Sequence, residues 1–299
     1  MDIGITQPKT TGRKHRYLFQ IMKSCIIKPT FCLLTTIWMT SGQESPSPFQ
    51  FSWPRETILM TSGIAGGYIG YYRLTNLPLY NPDLQKLDLP PWDRFAVGWY
   101  NPYESTVSDV LLVAVGGAEL FADAWEKVGG KTKWTPLLED GLILAEAQAW
   151  SSAINLNVRA FRWHPRPFIL DTLNGSSKIS RTAGEASTSF YSGHSSGAFV
   201  GAVYLSIAYP LWHPDFQYTG WLWAGSLTAA SSVAVLRVTS GKHYPSDVVA
   251  GAAMGALLGW GFARFHERAG ASSKTSWIFD AWPQPGGLAI QAVKPMAAW

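Results

Sequence analysis

An arginine, a histidine and an aspartate stand close together in the C-terminal half of the chain, at the spacing Arg237-x5-His243-x3-Asp247. Pro245 suits the first turn of a helix, because its φ is fixed and its missing N–H is not needed there. His243 and Asp247 lie four residues apart across this helix start, so the carboxylate can reach one imidazole nitrogen and leave the other free to attack an electrophile. Arg237 can bring a guanidinium group to the same space. An ordinary helix cap is the alternative interpretation of this triplet taken alone.

Two upstream motifs favour the chemical interpretation. Ser192, Gly193 and His194 open an apolar run in which Ser192 can cap a helix. The free N–H groups at that helix start would then point towards an anion. Arg159 and Arg166 add two guanidinium groups further upstream. Three arginines, a helix N-terminus and two histidines are the groups needed to bind a phosphoryl group and to cleave it through a histidine adduct.

The order of these motifs, from Arg159 to Asp247, resembles the three-part signature of the type 2 phosphatidic acid phosphatase superfamily. That superfamily also contains bacterial class A acid phosphatases and vanadium haloperoxidases. The surrounding helical layout extends the resemblance to roughly 100–265. Three positions depart from the usual pattern: Arg159 stands where the family has lysine, Tyr191 where it has proline, and Leu236 where it has serine.

The resemblance implies an all-α bundle of six helices, embedded in a membrane, and metal-independent hydrolysis of a phosphomonoester or diphosphate, most often of a lipid. His243 would attack phosphorus and form a phosphohistidine, and Asp247 would orient its ring. His194 would protonate the leaving oxygen and then activate water. The family pattern implies neither a metal nor a cofactor. The residues implied to bind the phosphate are Arg159, Arg166, Ser192, Gly193 and Arg237.

Several alternatives stay open at the level of sequence. The same motifs fit a soluble periplasmic acid phosphatase, a vanadium-dependent haloperoxidase with His243 as the vanadate ligand, or a non-catalytic lipid-phosphate binder. The intact catalytic residues favour an enzyme over a binder. Arg162, Lys178 or Arg181 could also supply the first charge in place of Arg159.

Apolar runs predict the helices that position these motifs. The predicted ranges are 57–72, 107–126, 137–158, 194–212, 217–236 and 247–265. Two helices separate the loop with the first two motifs from the loop with the third, so both loops emerge on one face of the bundle. In the last helix Gly251, Gly255 and Gly259 recur every four residues, which favours close backbone contact with a neighbouring helix.

The chain divides by composition into four parts. They are a signal or N-terminal anchor segment at 1–43, a linker with a first helix and an irregular stretch at 44–106, a catalytic helical domain at 107–268, and a tail at 269–299. The short basic start and apolar stretch at 22–42 predict a secretory signal, with a structural helix as the alternative. Cys25 and Cys32 both lie in it, so a mature exported chain would have no disulfide framework.

Charge argues against a nucleic-acid partner. The net charge is +4, but six of the 24 basic residues and one of the 20 acidic residues lie in 1–28, so the remainder is close to neutral. Only 15% of the residues are charged, and the chain has 15 tryptophans. The uncharged run at 216–236 is long enough for the roughly 30 Å hydrocarbon core of a bilayer. The expected partners are therefore a membrane and a phosphorylated lipid or small phosphoester, with the oligomeric state open.

The basic residues also predict an orientation. Lysines after the second predicted helix and arginines at the end of the last lie on the face opposite the motifs, which predicts a site outside the cytoplasm. We therefore expect the inner membrane of a bacterial-type cell envelope, with the site on the periplasmic side. The residues concerned are Lys127, Lys131, Lys133, Arg264 and Arg268.

Two features complicate this orientation. A cleaved signal followed by a spanning helix at 57–72 would turn the site inwards, so either the segment is retained or some helices do not span. Acids within the predicted helices are costly in lipid and favour the second option, in which some helices do not span; membrane association remains the first expectation and a soluble periplasmic enzyme the alternative. We expect these acids on solvated faces first, with pore-side groups and partners of the site arginines as the alternatives. They include Asp109, Glu119, Asp123, Glu139, Asp140 and Glu146.

Overall fold

Helices form the body of the chain in the computed structural model, which describes residues 47–77, 88–161, 165–170, 187–269, 278–284 and 287–293. The α-helices in these ranges are α1 (Trp53–Thr75), α2 (Pro91–Arg94), α3 (Pro102–Gly116), α4 (Ala118–Val128), α5 (Thr135–Phe161), α6 (Gly193–Trp212), α7 (Thr219–Thr239) and α8 (Pro245–His266). A 3₁₀ turn at Pro167–Leu170 precedes α6. The strands β1 (Ile278–Gln284) and β2 (Gly287–Val293) pair as an antiparallel hairpin in the tail.

The predicted all-α bundle is confirmed, and the helix bounds differ from those expected by only a few residues. The main difference is at 107–126, where the sequence predicts one helix and the structure has two, α3 and α4, with a bend of 58° between them. Gly116 and Gly117 lie at the break, and paired glycines weaken a helix because they gain the most backbone freedom when it opens. Counting this bent pair as one, and leaving aside the four-residue α2, gives the six-helix layout in the described residues. The hairpin in the tail was not anticipated.

Helix α6 is the centre of the bundle. Its residues are buried on nearly every side, and it packs against α3, α5, α7 and α8. A helix that is apolar all round belongs inside a bundle, which is what the sequence of α6 shows. The largest core cluster joins α5, α6 and α8 through Ile143, Val200, Tyr204 and Ala263. His194 is therefore carried by the most enclosed element of the fold.

The glycine stripe of α8 lies directly on the backbone of α6. A Cβ atom added to Gly251, Gly255 or Gly259 would lie 2.4, 2.1 or 2.5 Å from a carbonyl oxygen of α6 or of its N-cap, Ser192. Such distances leave no room for any side chain. The close contact predicted from the spacing is confirmed, and it fixes the helix that begins beside His243 against the helix that carries His194.

A tight turn between α7 and α8 brings Arg237 next to His243. Gly241 has φ +72°, and a Cβ there would lie 1.7 Å from the carbonyl oxygen of Trp99. Only glycine combines this conformation with this approach. The backbone N–H groups of Lys242 and His243 both donate to the carbonyl oxygen of Arg237 at 3.1 Å. The x5 spacing of the third motif is thus the length of this turn.

Two described helices, α7 and α8, are long and apolar enough to cross a membrane, and the bent pair α3–α4 gives a third such span if it is counted as one. Large apolar side chains on these helices point away from the protein. Trp221 on α7 is 79% exposed, and Leu257 and Trp260 on α8 are 58% and 52% exposed. Large apolar surfaces of this kind mark contact with a membrane or a partner.

The prediction that the helical acids lie on solvated faces is wrong at four positions. Glu119, Asp123, Asp140 and Glu146 are each less than 5% exposed. The reason is that α4 and α5 turn these side chains towards the bundle instead of away from it. Glu139 is partly buried, and Asp109 lies in the candidate site.

Residues 1–46 lie outside the described part of the chain. They include the predicted signal segment with Cys25 and Cys32. The proposed division into four parts stays a prediction.

Candidate active site

His243 and Asp247 lie side by side at the start of α8, His243 2% exposed and Asp247 fully buried. The Nδ1 atom of His243 is 3.5 Å from Oδ2 of Asp247. The backbone N–H of Tyr244 donates to the same Oδ2 at 3.0 Å, as in a capping box. The Ser189 hydroxyl also donates to Oδ2, and its oxygen lies 3.4 Å from His243 Nδ1. Asp247 is held in one position, and Nε2 is the ring nitrogen left for chemistry.

Ser189 was not found by the sequence analysis, and it gives a prediction. Ser189→Ala should lower kcat by about 10- to 100-fold and leave KM little changed, because it frees the carboxylate that aligns the nucleophile without touching the cavity. Steady-state kinetics would measure both constants. Ser206→Ala is the matched control. Ser206 is also a buried serine, and its hydroxyl is hydrogen-bonded to the hydroxyl of Ser226, away from the site. An unchanged kcat in Ser189→Ala would remove this residue from the site.

Asp109 joins His194 to Arg237. His194 Nε2 donates to Asp109 Oδ1 at 2.7 Å, and Arg237 Nη1 donates to the same oxygen at 3.2 Å. Arg237 also donates to the hydroxyls of Ser105 and Ser108 at 3.2 and 3.0 Å. Asp109 is thus a partner of a site arginine, which is one of the alternatives expected for these acids. Helix α3 fixes the arginine through this network.

Burial sets the charge of both histidines, which lie outside the candidate membrane spans. It lowers the pKa of His243 to about 3, although Asp247 acts in the opposite direction. It lowers the pKa of His194 to about 4, helped by the positive charge of Arg237 and opposed by Asp109. In the free site at neutral pH both imidazoles are therefore uncharged. A neutral His243 is ready to act as a nucleophile, whereas His194 must gain a proton before it can act as an acid.

The three motifs line one cavity of about 330 Å³. Its lining residues are Ser105, Asp109, Arg159, Arg166, Gly193, His194, Arg237, Lys242 and His243. Asp247 lies behind His243 and does not reach the cavity. Ser192 does not line it either, because its hydroxyl caps α6 and accepts from the backbone N–H of Ser195 at 3.3 Å. Lys242 was missed, although its place next to His243 could have indicated it.

The first motif reaches the cavity from the end of α5. Arg159 donates from Nε and Nη2 to the carbonyl oxygen and hydroxyl of Thr188, at 3.1 and 3.2 Å. Arg166 is 7% exposed, and the backbone N–H of Phe168 donates to the carbonyl oxygen of Gly241 at 3.0 Å. The loop of the first motif is thereby attached to the turn of the third. The alternatives to Arg159, namely Arg162, Lys178 and Arg181, lie outside the described residues.

Comparison with known families agrees with this geometry. The model of the PAP2 superfamily matches residues 141–271, a stretch that contains all three motifs. This part of the chain is similar to the PAP2 superfamily. It begins within α5, so the residues of α3 that hold Arg237 lie before the matched stretch and still contribute to the cavity.

Two known proteins are similar to this chain. The lipid A 1-phosphatase of Porphyromonas gingivalis is 34% identical over 79 residues, which cover 26% of this chain and 16% of that protein. The chain therefore spans about one sixth of the curated relative that it matches. The crystal structure of a transmembrane PAP2-type phosphatidylglycerolphosphate phosphatase from Bacillus subtilis aligns over 71% of this chain and 92% of its own, with 18% identity and a TM-score of 0.37.

Proposed function

We propose that this chain is a phosphoric ester hydrolase that removes phosphate from a phosphorylated lipid through a phosphohistidine intermediate. One observation carries the proposal: a buried histidine, aligned by a carboxylate, borders a cavity that also holds three arginines and a second histidine. This combination can bind a phosphoryl group and supply both a nucleophile and a group for general acid–base catalysis. The match of residues 141–271 to the model of the PAP2 superfamily supports the same reaction class.

In the first half-reaction, His243 Nε2 attacks phosphorus in line, so that an N–P bond forms as the bond to the leaving oxygen breaks. His194 gives its proton to that oxygen. Asp247 stabilises the positive ring of the adduct through its contact with Nδ1. The equatorial oxygens are bound by the guanidinium groups and by the N-terminal amides of α6. These groups are Arg159, Arg166, Arg237 and Gly193.

The second half-reaction returns the enzyme to its starting state. His194, now neutral, takes a proton from water as the oxygen attacks phosphorus. The N–P bond breaks, inorganic phosphate forms, and His243 regains its free Nε2. Asp109 contacts both His194 and Arg237. It therefore holds His194, the acid–base group, next to an arginine that binds the phosphate. The same histidine serves as acid and base because the two halves run in opposite directions.

A lipid substrate is supported by the surface of the helices. Apolar side chains on α7 and α8 face outwards, whereas the cavity at the start of α8 is lined by charged groups. A bilayer around the helices would place the polar head of a lipid at the cavity. The basic residues after α4 and at the end of α8 favour an orientation with the cavity outside the cytoplasm.

The lowered pKa of His194 predicts the dependence of the rate on pH. Because His194 is neutral in the free site above about pH 4, the proton for the leaving oxygen must enter with the substrate. A phosphate monoester loses its second proton near about pH 6, so kcat/KM should fall roughly tenfold per pH unit above that value. Asp109→Asn should lower the whole profile, since Asp109 favours the protonated imidazole. A kcat/KM that is constant up to pH 8 would contradict this assignment.

A panel of substrates tests the proposed function. Phosphate release should be measured in detergent micelles from phosphatidate, phosphatidylglycerol phosphate, undecaprenyl diphosphate, a lipid A phosphate, glycerol 3-phosphate and nitrophenyl phosphate. We expect at least one lipid to exceed the soluble esters in kcat/KM, activity to persist in EDTA, and orthovanadate to inhibit at far lower concentration than phosphate. Vanadate takes a trigonal-bipyramidal shape that resembles the transition state, with His243 as the apical ligand.

Each other outcome points elsewhere. Soluble esters cleaved faster than every lipid would favour an acid phosphatase of the periplasm. Peroxide-dependent bromide oxidation by the vanadate-loaded protein, without phosphate release, would favour a haloperoxidase. Binding of lipid phosphate without turnover would leave a binding protein. Loss of activity in EDTA, with vanadate no better than phosphate, would reject the proposed reaction.

A further inference from the structure

A second group of ionisable side chains lies at the other end of α8 from the phosphatase cavity. Glu56 of α1, Glu146 of α5 and His266 of α8 are 3%, 0% and 0% exposed. One ligand atom from each lies within 4.8 Å of the other two. His266 follows Asp247 by 19 residues on the same helix, a rise of about 28 Å. This group therefore takes no part in the reaction proposed above.

The hydrogen bonds of His266 fix which nitrogen faces the carboxylates. Its Nδ1 lies 2.8 Å from the carbonyl oxygen of Phe262, which can only accept, so Nδ1 carries a proton and donates it. Nε2 then points to Glu56 Oε2 at 3.4 Å and to Glu146 Oε2 at 3.3 Å. A histidine that binds a metal commonly donates its other ring N–H to a backbone carbonyl in this way.

The partners around Nε2 are incomplete. Among the residues that the structure describes, neither carboxylate oxygen of Glu146 has a hydrogen-bond partner, and His266 Nε2 has none. Buried polar atoms without partners are costly and need an explanation. Glu56, in contrast, has partners on both oxygens: the N–H of Ser52 donates to Oε1 at 2.7 Å, and Nε of Arg55 donates at 2.8 Å to Oε2, the oxygen that faces His266. Such support orients a metal-binding carboxylate.

The distances favour a shared ion over a shared proton. A protonated histidine would hydrogen-bond a carboxylate at about 2.7–2.9 Å. Two atoms that each lie about 2.1 Å from one ion at the tetrahedral angle are instead about 3.4 Å apart. Both Nε2–carboxylate distances, 3.4 and 3.3 Å, match the second value. We propose that Glu56, Glu146 and His266 bind one divalent transition-metal ion, Zn²⁺ foremost, which joins α1, α5 and α8.

The donor set defines the chemistry of this ion. One imidazole and two carboxylates suit Zn²⁺, Co²⁺ or Mn²⁺, whereas Mg²⁺ and Ca²⁺ favour oxygen atoms alone. The three residues are far apart in sequence, and the backbone N–H of Gln50 donates to the carbonyl oxygen of His266 beside the site. An ion here would stabilise the end of the bundle and the segment that leads into α1.

Metal binding by the purified full-length chain tests this site. After dialysis against EDTA and titration with Zn²⁺ or Co²⁺, mass spectrometry should find one equivalent of metal per chain. Co²⁺ should give visible absorption bands, and Zn²⁺ should raise the melting temperature while Mg²⁺ does not. His266→Gln and the near-isosteric Glu146→Gln should each weaken Zn²⁺ binding by at least about a hundredfold.

Two control variants separate this site from other ligands. Glu119→Gln alters another buried carboxylate group, formed with Asp123 and Asp140, and His213→Gln alters a histidine beside Glu126. Neither should change the stoichiometry or the affinity. The proposal is overturned if the wild-type chain binds less than a stoichiometric amount of metal, which would leave a protonated His266 between two glutamates. It is also overturned if Glu119→Gln, and not Glu146→Gln, removes the ion.

Discussion

His243→Gln should lower kcat by at least about 10⁴-fold on every substrate that the enzyme accepts. The reason is that Nε2 of His243 forms the bond to phosphorus, and a glutamine amide cannot replace it. Gln fills much of the same buried space and can still contact Asp247, so the melting temperature should stay close to that of the wild type. Phosphate release over several hours with a chromogenic ester and with a lipid would measure the loss.

The matched control for His243→Gln is His213→Gln. His213 lies at the end of α6, where it contacts Glu126 and not the cavity, and its loss should leave kcat within about twofold. A His243→Gln variant that keeps more than about a hundredth of the wild-type kcat would exclude a histidine nucleophile, because a lost covalent step has no substitute.

Gly255→Ala should destabilise the protein more than any other single methyl group added to α8. Its Cβ would lie 2.1 Å from the carbonyl oxygen of Ser196, which belongs to the backbone of α6 and cannot move aside alone. The two helices would have to separate, at a cost of about 3 kcal/mol or more. We expect the melting temperature in detergent to fall by roughly 10 °C and kcat to fall as well, since α6 carries His194 and α8 begins beside His243.

Gly261→Ala is the control on the same helix. No atom lies within 4 Å of the Cβ that it adds, so it should be neutral or stabilise the helix by up to about 1 kcal/mol. Equal melting temperatures for the two variants would show that the helices are not in backbone contact at Gly255. Thermal unfolding followed by circular dichroism in one detergent gives the comparison directly.

Much of the architecture is predictable because its signals are local. The apolar runs locate the helices, Pro245 marks the start of α8, and the four-residue glycine spacing anticipates the contact with α6. The bend between α3 and α4 is less predictable, since an apolar run continues across Gly116 and Gly117 and only the paired glycines indicate the break. Pairing of the tail as a hairpin depends on register, which has no strong signal in this sequence.

Contacts between distant segments explain what the sequence could not predict in the candidate site. Ser189 lies 54 positions before His243, and only the folded chain shows that its hydroxyl reaches Asp247. Asp109 meets Arg237 across 128 positions for the same reason. The motif residues were predictable because their residue types and their order along the chain indicate the chemistry directly. The residues that hold them in place are ordinary serines and acids, which have many other uses.

The most direct test of the account is to trap the covalent intermediate. His194→Ala should still transfer phosphate from nitrophenyl phosphate, whose leaving group needs no proton, but should hydrolyse the adduct slowly because water is no longer activated. Rapid acid-free quenching and peptide mass spectrometry should then find a phosphoryl group on His243 that is stable to alkali and lost in acid. No adduct at any time point, or an adduct on another residue, would contradict the proposed reaction.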